Sequence, residues 1–132
     1  MLSEQKAALL EAARLARRNA YAPYSHYTVG AALLAEDGRI FVGANVENAA
    51  YSPTLCAERV ALGSAVAAGA RRFLAILVVG GHSGREEDCS PCGVCRQSLA
   101  ELSDGGLTVL FFSGGELTEL PLSELLPHGF SL

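Results

Sequence analysis

Apolar residues recur at helical spacing near the start of the chain, through Ala8, Leu9, Ala12, Ala13, Leu15 and Ala16, and predict a helix over residues 3–18 with Ser3 as its N-cap. The stretch NAYAPYSHY, interrupted by a proline and several polar groups, reads as a loop. Two apolar runs, TVGAALLA and RIFVGANV, then flank Glu36, Asp37 and Gly38, and an Asp-Gly in that position predicts an antiparallel hairpin. Residues 56–69 carry the alanine-rich pattern of a buried helix that Gly69 stops. FLAILVVG is unbrokenly apolar, as suits a strand covered on both faces. GHSGREED follows as a polar loop, with Gly80, Gly81 and Gly84 read as a flexible turn. Residues 93–103 predict a short helix, LTVLFF a second buried strand, and ELTELPLSELL a last strand and turn. A helix, a hairpin and then alternating helix and strand give an α/β fold of three layers, a sheet with helices on both faces.

Length, composition and charge narrow the setting. At 132 residues the chain suits one domain, residues 1–132, with a sizeable core. Half of the residues are hydrophobic, yet no apolar run approaches the roughly 20 residues of a membrane helix. The amphipathic, acid-containing N-terminus is read as neither signal peptide nor anchor. The net charge is -4, and the small clusters Arg14, Arg17, Arg18 and Arg71, Arg72 are balanced by acids, so no nucleic-acid partner is expected. The first cluster reads as a solvated helix face. Four cysteines without a secretory signal point to a reducing compartment, the cytoplasm, where close cysteine pairs bind metal or do redox chemistry.

The chemistry concentrates in TLCAERVAL and CSPCGVCRQ. Cys92 and Cys95 stand at i and i+3, on one face of the predicted helix, with Pro91 at its start. Cys56 likewise opens a helix. Helix N-termini favour thiolates, because unpaired N–H groups and the helix dipole lower a cysteine pKa. Three thiolates bind zinc and leave the fourth tetrahedral position open to water, the mark of a catalytic site. Zinc lowers the pKa of such a water to about 7. Removing an amine further requires a group that shuttles the proton, and Glu58 meets that need without being required as a ligand. Three thiolates leave excess negative charge on the metal, and Arg59, three residues after Cys56, and Arg96, next to Cys95, are expected to donate to the cysteine sulfurs and offset it.

The bland alternatives are definite. Cys92 and Cys95 alone suit a structural zinc or a redox pair as well as a catalytic centre. With Cys89 they spell a run that suggests an iron–sulfur cluster, but the fourth cysteine before a proline is missing and Glu58 is left unexplained. Cys89 is therefore read as a free loop thiol. His26, His82 and His128 show no ligand spacing and are read as surface or loop residues.

Cys-Ala-Glu followed by Pro-Cys-x-x-Cys resembles the zinc-dependent deaminase signature, whose general form assigns the metal and the glutamate these same roles. Within that superfamily the chain is similar to the small cytidine deaminases acting on free nucleosides. AYAPYSHYTVGAALL, GANVENAAY, CAERVAL, PCGVCRQ and LLPHGF all align with that family's blocks. The resemblance implies a three-layer α/β/α sandwich with a mixed, mostly five-stranded sheet, one Zn2+ per chain, and a homotetramer with shared active sites. It implies that Asn45 and Glu47 bind the ribose, that the backbone around Ala57 and Ser90 meets the base, and that Tyr27 and Phe130 supply aromatic walls. Many relatives have phenylalanine where Tyr27 stands and proline where Thr28 stands. The implied reaction is hydrolytic deamination of cytidine and 2′-deoxycytidine in pyrimidine salvage. Glu47 beside a 5′-phosphate would repel it, and no lysine-bearing phosphate loop is present, which favours a nucleoside over a nucleotide. The alternatives are a deaminase of another aminonucleoside such as blasticidin S, a noncatalytic zinc-stabilised domain with Cys89 as fourth ligand, and nucleic-acid editing.

Overall fold

The computed structural model describes residues 1–132. Its elements are α1 (Ser3–Arg17), β1 (Tyr27–Ala35), β2 (Ile40–Ala44), α2 (Ala57–Ala67), β3 (Phe73–His82), α3 (Gly93–Glu101), β4 (Thr108–Ser113), β5 (Glu116–Pro121) and the single turn α4 (Leu122–Leu125). The five strands form one mixed sheet in the order β2-β1-β3-β4-β5. Only β3 and β4 are parallel, joined through α3; the other neighbours are antiparallel. The Asp37-Gly38 signal is realised as the β1–β2 turn, where Gly38 takes φ +93° and the Ala35 N–H donates to the Arg39 carbonyl at 2.9 Å.

Both faces of the sheet are apolar, and successive residues alternate between them. Ala31, Leu33, Ile76, Val78, Val109 and Phe111 face Ala57, Ala61 and Ala65 of α2 and Leu99 of α3. Ala32, Leu34, Ala75, Leu77, Val79 and Leu110 face Leu9 and Ala13 of α1. The unbroken apolar run of β3 follows from this: a strand between two helical layers has no wet face. No helix is long and apolar enough to cross a membrane.

The helix boundaries refine the expectations. Ser3 is the first helical residue of α1 and Leu2 occupies the cap, with its N–H donating to the Gln5 side chain at 3.2 Å. Helix α2 closes in a Schellman arrangement, the Ala70 N–H on the Ala65 carbonyl and the Gly69 N–H on that of Val66, both at 3.0 Å, with Gly69 at φ +93°. Pro91 precedes the N-cap of α3 and lies outside the helix. Gly80 and Gly81 are not a turn: they are buried within β3, and only Gly84 lies in the loop beyond it.

Arg17 corrects the reading of a solvated arginine face. Its guanidinium donates to the Thr28 carbonyl and hydroxyl at 3.0 and 2.9 Å, to the Gly81 carbonyl at 3.0 Å, and to the Arg85 carbonyl, tying the end of α1 to the ends of β1 and β3. Arg14 pairs with Glu86 at 2.6 Å in the same loop. Sequence periodicity cannot distinguish an arginine in water from one whose chain folds back to meet carbonyls.

Gly43 in β2 sets the position of α2. A Cβ there would strike the Ala57 carbonyl and the Ala61 N–H, the backbone of the first turns of α2. Close approach of helix to sheet at this point brings Cys56, Ala57 and Glu58 down onto the strand ends. Gly43→Ala is expected to lower unfolding stability by about 3 kcal/mol, as overpacking against rigid backbone does. A urea midpoint equal to that of the parent would show that α2 yields freely.

Candidate active site

Helices α2 and α3 begin at the same end of the sheet, and each has a cysteine as its N-cap, Cys56 (φ -75°, ψ 150°) and Cys92 (φ -70°, ψ 167°). Cys95 is the third helical residue of α3. Cys92 and Cys95 thus come together across a helix start, one from the extended backbone of the N-cap and one from the first turn. The Cys56, Cys92 and Cys95 sulfurs all lie within 4.8 Å of one another, with Cys56 Sγ and Cys92 Sγ 3.9 Å apart. Thiolates bound tetrahedrally to zinc at about 2.3 Å lie roughly 3.8 Å from each other, so the three sulfurs fit such an ion. Cys95 is fully buried, Cys56 partly buried and Cys92 exposed, so one side of the cluster is open. Cys89 stands outside this group.

Electrostatics explain how three thiols coexist without metal. The Cys56 thiol is pulled down to about 5, first by the hydrogen bond from Cys95, with Arg59 and Cys92 also donating to it. Cys95 moves the opposite way, first because its proton is held by Cys56 and then because it is buried beside Glu58. A bound dication replaces those shared protons. Glu58, the second residue of α2, is only 4 % exposed. Burial raises its carboxyl to about 7, and the negative Cys56 adds to the effect. Both its protonated and ionised forms are then populated near neutrality, as a group that accepts and returns a proton requires.

A cleft of about 410 Å³ opens beside the cluster, walled by Tyr27, Asn45, Ala57, Glu58, Ser90 and the two N-cap cysteines. A larger hollow of about 460 Å³ lies between Arg71, Arg72 and the end of α3 and contains no thiol or histidine. The chemistry therefore marks the smaller one.

Residues 3–110 match the family model described as the cytidine and deoxycytidylate deaminase zinc-binding region. The chain belongs to this deaminase family. It is 48% identical over 124 residues to a cytidine deaminase of Sporosarcina psychrophila, covering 93% of this chain and 89% of that one. A crystal structure of cytidine deaminase from Burkholderia pseudomallei superposes with a TM-score of 0.85 at 47% identity, covering 98% of this chain and 100% of that one. One from Mycobacterium tuberculosis gives 0.83 at 38% identity over the full length of both chains. The mixed five-stranded sheet with flanking helices is that of these deaminases, and Zn2+ is the cofactor that the family's zinc-binding region and the three-sulfur group together support.

Around this deaminase-family centre the remaining residues sort by contact. Arg59 reaches sulfur: its Nη2 donates to Cys56 Sγ at 3.7 Å and to the Thr54 carbonyl at 3.3 Å, while its buried Nε has no partner. Arg96 does not. It donates to the carbonyls of Pro91 at 2.7 Å and Leu125 at 2.9 Å and more distantly to Ser90 Oγ at 3.5 Å, so it braces the loop before Cys92 against the C-terminal segment and leaves the sulfurs alone. Adjacency in sequence fails as a guide because a helical side chain at position i+1 points away from its neighbour.

Asn45 is buried, its Oδ1 accepting the Val29 N–H and its Nδ2 donating to the Tyr27 carbonyl, both at 2.8 Å. Glu47 does not wall the cleft. Its carboxylate accepts the Tyr24 and Ser25 N–H groups at 3.0 and 3.1 Å and the Ser25 hydroxyl, which hold it below the usual carboxylate range, the hydroxyl most strongly. Tyr27 presents its ring edge-on to His82, centroids 4.8 Å apart, and spends its hydroxyl on the Asp88 carbonyl at 3.3 Å. Phe130 is 69 % exposed and lies away from the cleft wall, its backbone bonded twice to the Gln97 side chain at 2.9 Å. Asp88 and Cys89 do wall the cleft, and the only signal for them in the sequence was their position just before Ser90.

In the metal-free protein, titration of thiolate absorbance is expected to show one thiolate forming with a midpoint well below the usual thiol range. Arg59→Gln removes the nearest cation and a donor, so that midpoint moves upward. An unmoved midpoint would mean that Arg59 does not stabilise the Cys56 thiolate.

Proposed function

We propose that the chain hydrolyses cytidine and 2′-deoxycytidine to uridine and 2′-deoxyuridine with release of ammonia. The observation that carries this reading is a nearly buried carboxyl, Glu58, at the mouth of a three-sulfur cluster whose open side faces a cleft of nucleoside size. Cys56, Cys92 and Cys95 would hold zinc, which as a Lewis acid activates water at neutral pH; these are the general roles in zinc nucleobase deaminases. Glu58 accepts one proton of the attacking water and delivers it to N3 of the ring; it then takes the proton of the hydroxyl now on C4 and passes it to the departing amine, so that a carbonyl forms at C4 as ammonia leaves. Burial disfavours the ionised form of Glu58, which helps it to take up a proton from water and hold it until the transfer.

The base is held by backbone. The Ala57 N–H lies in the first turn of α2, where helix geometry supplies no carbonyl partner, and is free for the ring carbonyl. The Ser90 carbonyl accepts from the amino group, and the Tyr27 ring forms a wall. Asn45 retains one amide N–H for a ribose hydroxyl, the other being donated to the Tyr27 carbonyl. Glu47, fixed as an anion at the neighbouring turn, accepts from the sugar and disfavours a 5′-phosphate. Arg59 offsets the charge of the thiolates.

The wider setting belongs to the same proposal: one domain, a homotetramer with shared active sites, and pyrimidine salvage in the cytoplasm. Exposed apolar side chains, Tyr51 at 78 %, Val94 at 60 % and Phe130 at 69 %, support burial against neighbouring copies, with Phe130 completing an adjacent site. Free cysteines support a reducing compartment.

Metal analysis alongside the loss of cytosine absorbance tests the reading. One zinc per chain is expected, with turnover of cytidine lost on chelation and restored by zinc. Full turnover in a chelated, zinc-free sample would defeat it, as would preference for blasticidin S or a cytidine nucleotide in a substrate panel. Glu58→Ala is expected to retain zinc and lose about 10²–10⁴-fold in kcat. Near-parent kcat in that variant removes Glu58 from the mechanism.

A further inference from the structure

The approach to Cys92 has no regular secondary structure from Asp88 to the start of α3 at Gly93, yet it lines the cleft and delivers a proposed metal ligand. What holds it comes from outside it. Asp88 Oδ2 accepts the Gly114 N–H at 2.7 Å and Oδ1 the Gly115 N–H at 3.2 Å. Gly114 and Gly115, at φ +62° and +80°, form the two-residue turn of the β4–β5 hairpin between the paired residues Ser113 and Glu116. Positive φ at both positions is what such a turn demands, and here it leaves two consecutive N–H groups on one carboxylate. The Cys89 N–H donates to the Phe112 carbonyl at 3.2 Å, the Glu87 N–H to the Gly80 carbonyl at 2.8 Å, and the Tyr27 hydroxyl to the Asp88 carbonyl at 3.3 Å.

We propose that Asp88 is a positioning residue: by clamping the glycine turn of the β4–β5 hairpin it fixes the segment that carries Ser90 over the cleft and Cys92 to the metal. The proposal rests on the reading of the three cysteines as the zinc site and of the cleft as the nucleoside site. Asp88 also borders the cleft, but both of its oxygens are already engaged by N–H groups, so its action is on the loop. The hairpin turn does not line the cleft, so the clamp makes β4 and β5, strands with no residue in its wall, part of the loop's support.

The experiment uses the zinc-loaded full chain with Asp88→Ala, which loses both bonds, and Asp88→Asn, which keeps the shape and one acceptor oxygen. Three readouts are taken: zinc release to a colorimetric chelator, KM against kcat for cytidine, and hydrogen–deuterium exchange of residues 88–92 in the metal-free protein. Asp88→Ala is expected to release zinc about tenfold faster and raise KM by about the same factor, the worth of one net hydrogen bond, with kcat little changed. Exchange at 88–92 quickens, and Asp88→Asn falls between parent and alanine. If the variants melt earlier but release zinc and bind cytidine as the parent does, Asp88 merely caps the hairpin and the proposal is overturned. Should Asp88→Ala not fold, Asp88→Asn decides by the same readouts. Release and exchange need no turnover, so a parent that binds zinc without deaminating cytidine would sink the function reading while still judging Asp88.

Discussion

Three sulfurs and a carboxyl gathered at two helix N-termini cannot all be ionised unless a cation stands among them. At separations such as the 3.9 Å between Cys56 and Cys92 sulfurs, like charges repel strongly even at the effective dielectric of a protein surface. Without metal the conflict is relieved by proton sharing: Cys56 ionises at the expense of Cys95, and Glu58 is pushed towards its neutral form. Arg59 and the helix N-termini supply only partial positive charge. The site is thus a charge problem that a thiophilic dication answers in large part, with Arg59 beside Cys56 against the negative charge that remains. The buried glutamate stays outside that answer, poised to hold or release one proton.

The sheet makes the convergence possible. Because β1 is antiparallel to both β2 and β3, those two strands run the same way, and the chain leaves both at the same end of the sheet. From there it reaches the N-termini of α2 and α3. This is the α/β arrangement in which ligands bind beyond the carboxyl ends of strands. Gly43 then decides how closely α2 approaches, and Arg17 and Asp88 tie down the loops that flank the opening. Local irregularity at the site is carried by regular elements that never touch it.

Much of this was legible from residue pattern. The apolar runs located all five strands and the principal helices, and the Asp-Gly placed the first hairpin, because burial on one face or both leaves a periodic trace. The Cys-Ala-Glu and Pro-Cys-x-x-Cys segments pointed to the three sulfurs that the fold brings together, since a tetrahedral ion restricts both ligand type and spacing. Roles that depend on direction were not legible. Arg96 follows Cys95 in the chain but braces carbonyls, and Arg17 sits on a charged helix face but folds inward. Each is a long side chain with several rotamers, and its choice depends on carbonyls and N–H groups far away in sequence.

The sequence by itself determined the order of elements, the apolar faces that stack them, and the candidates for metal and proton chemistry, three cysteines and one glutamate, because these follow from local periodicity and from the chemistry of single side chains. Tertiary structure alone decided which sulfurs meet, that Cys89 stays apart, and that the loop before Cys92 hangs from a glycine turn some 26 residues further along the chain. Those are matters of distance between segments. Distance is set only when the sheet closes and the two helix ends are brought to one place.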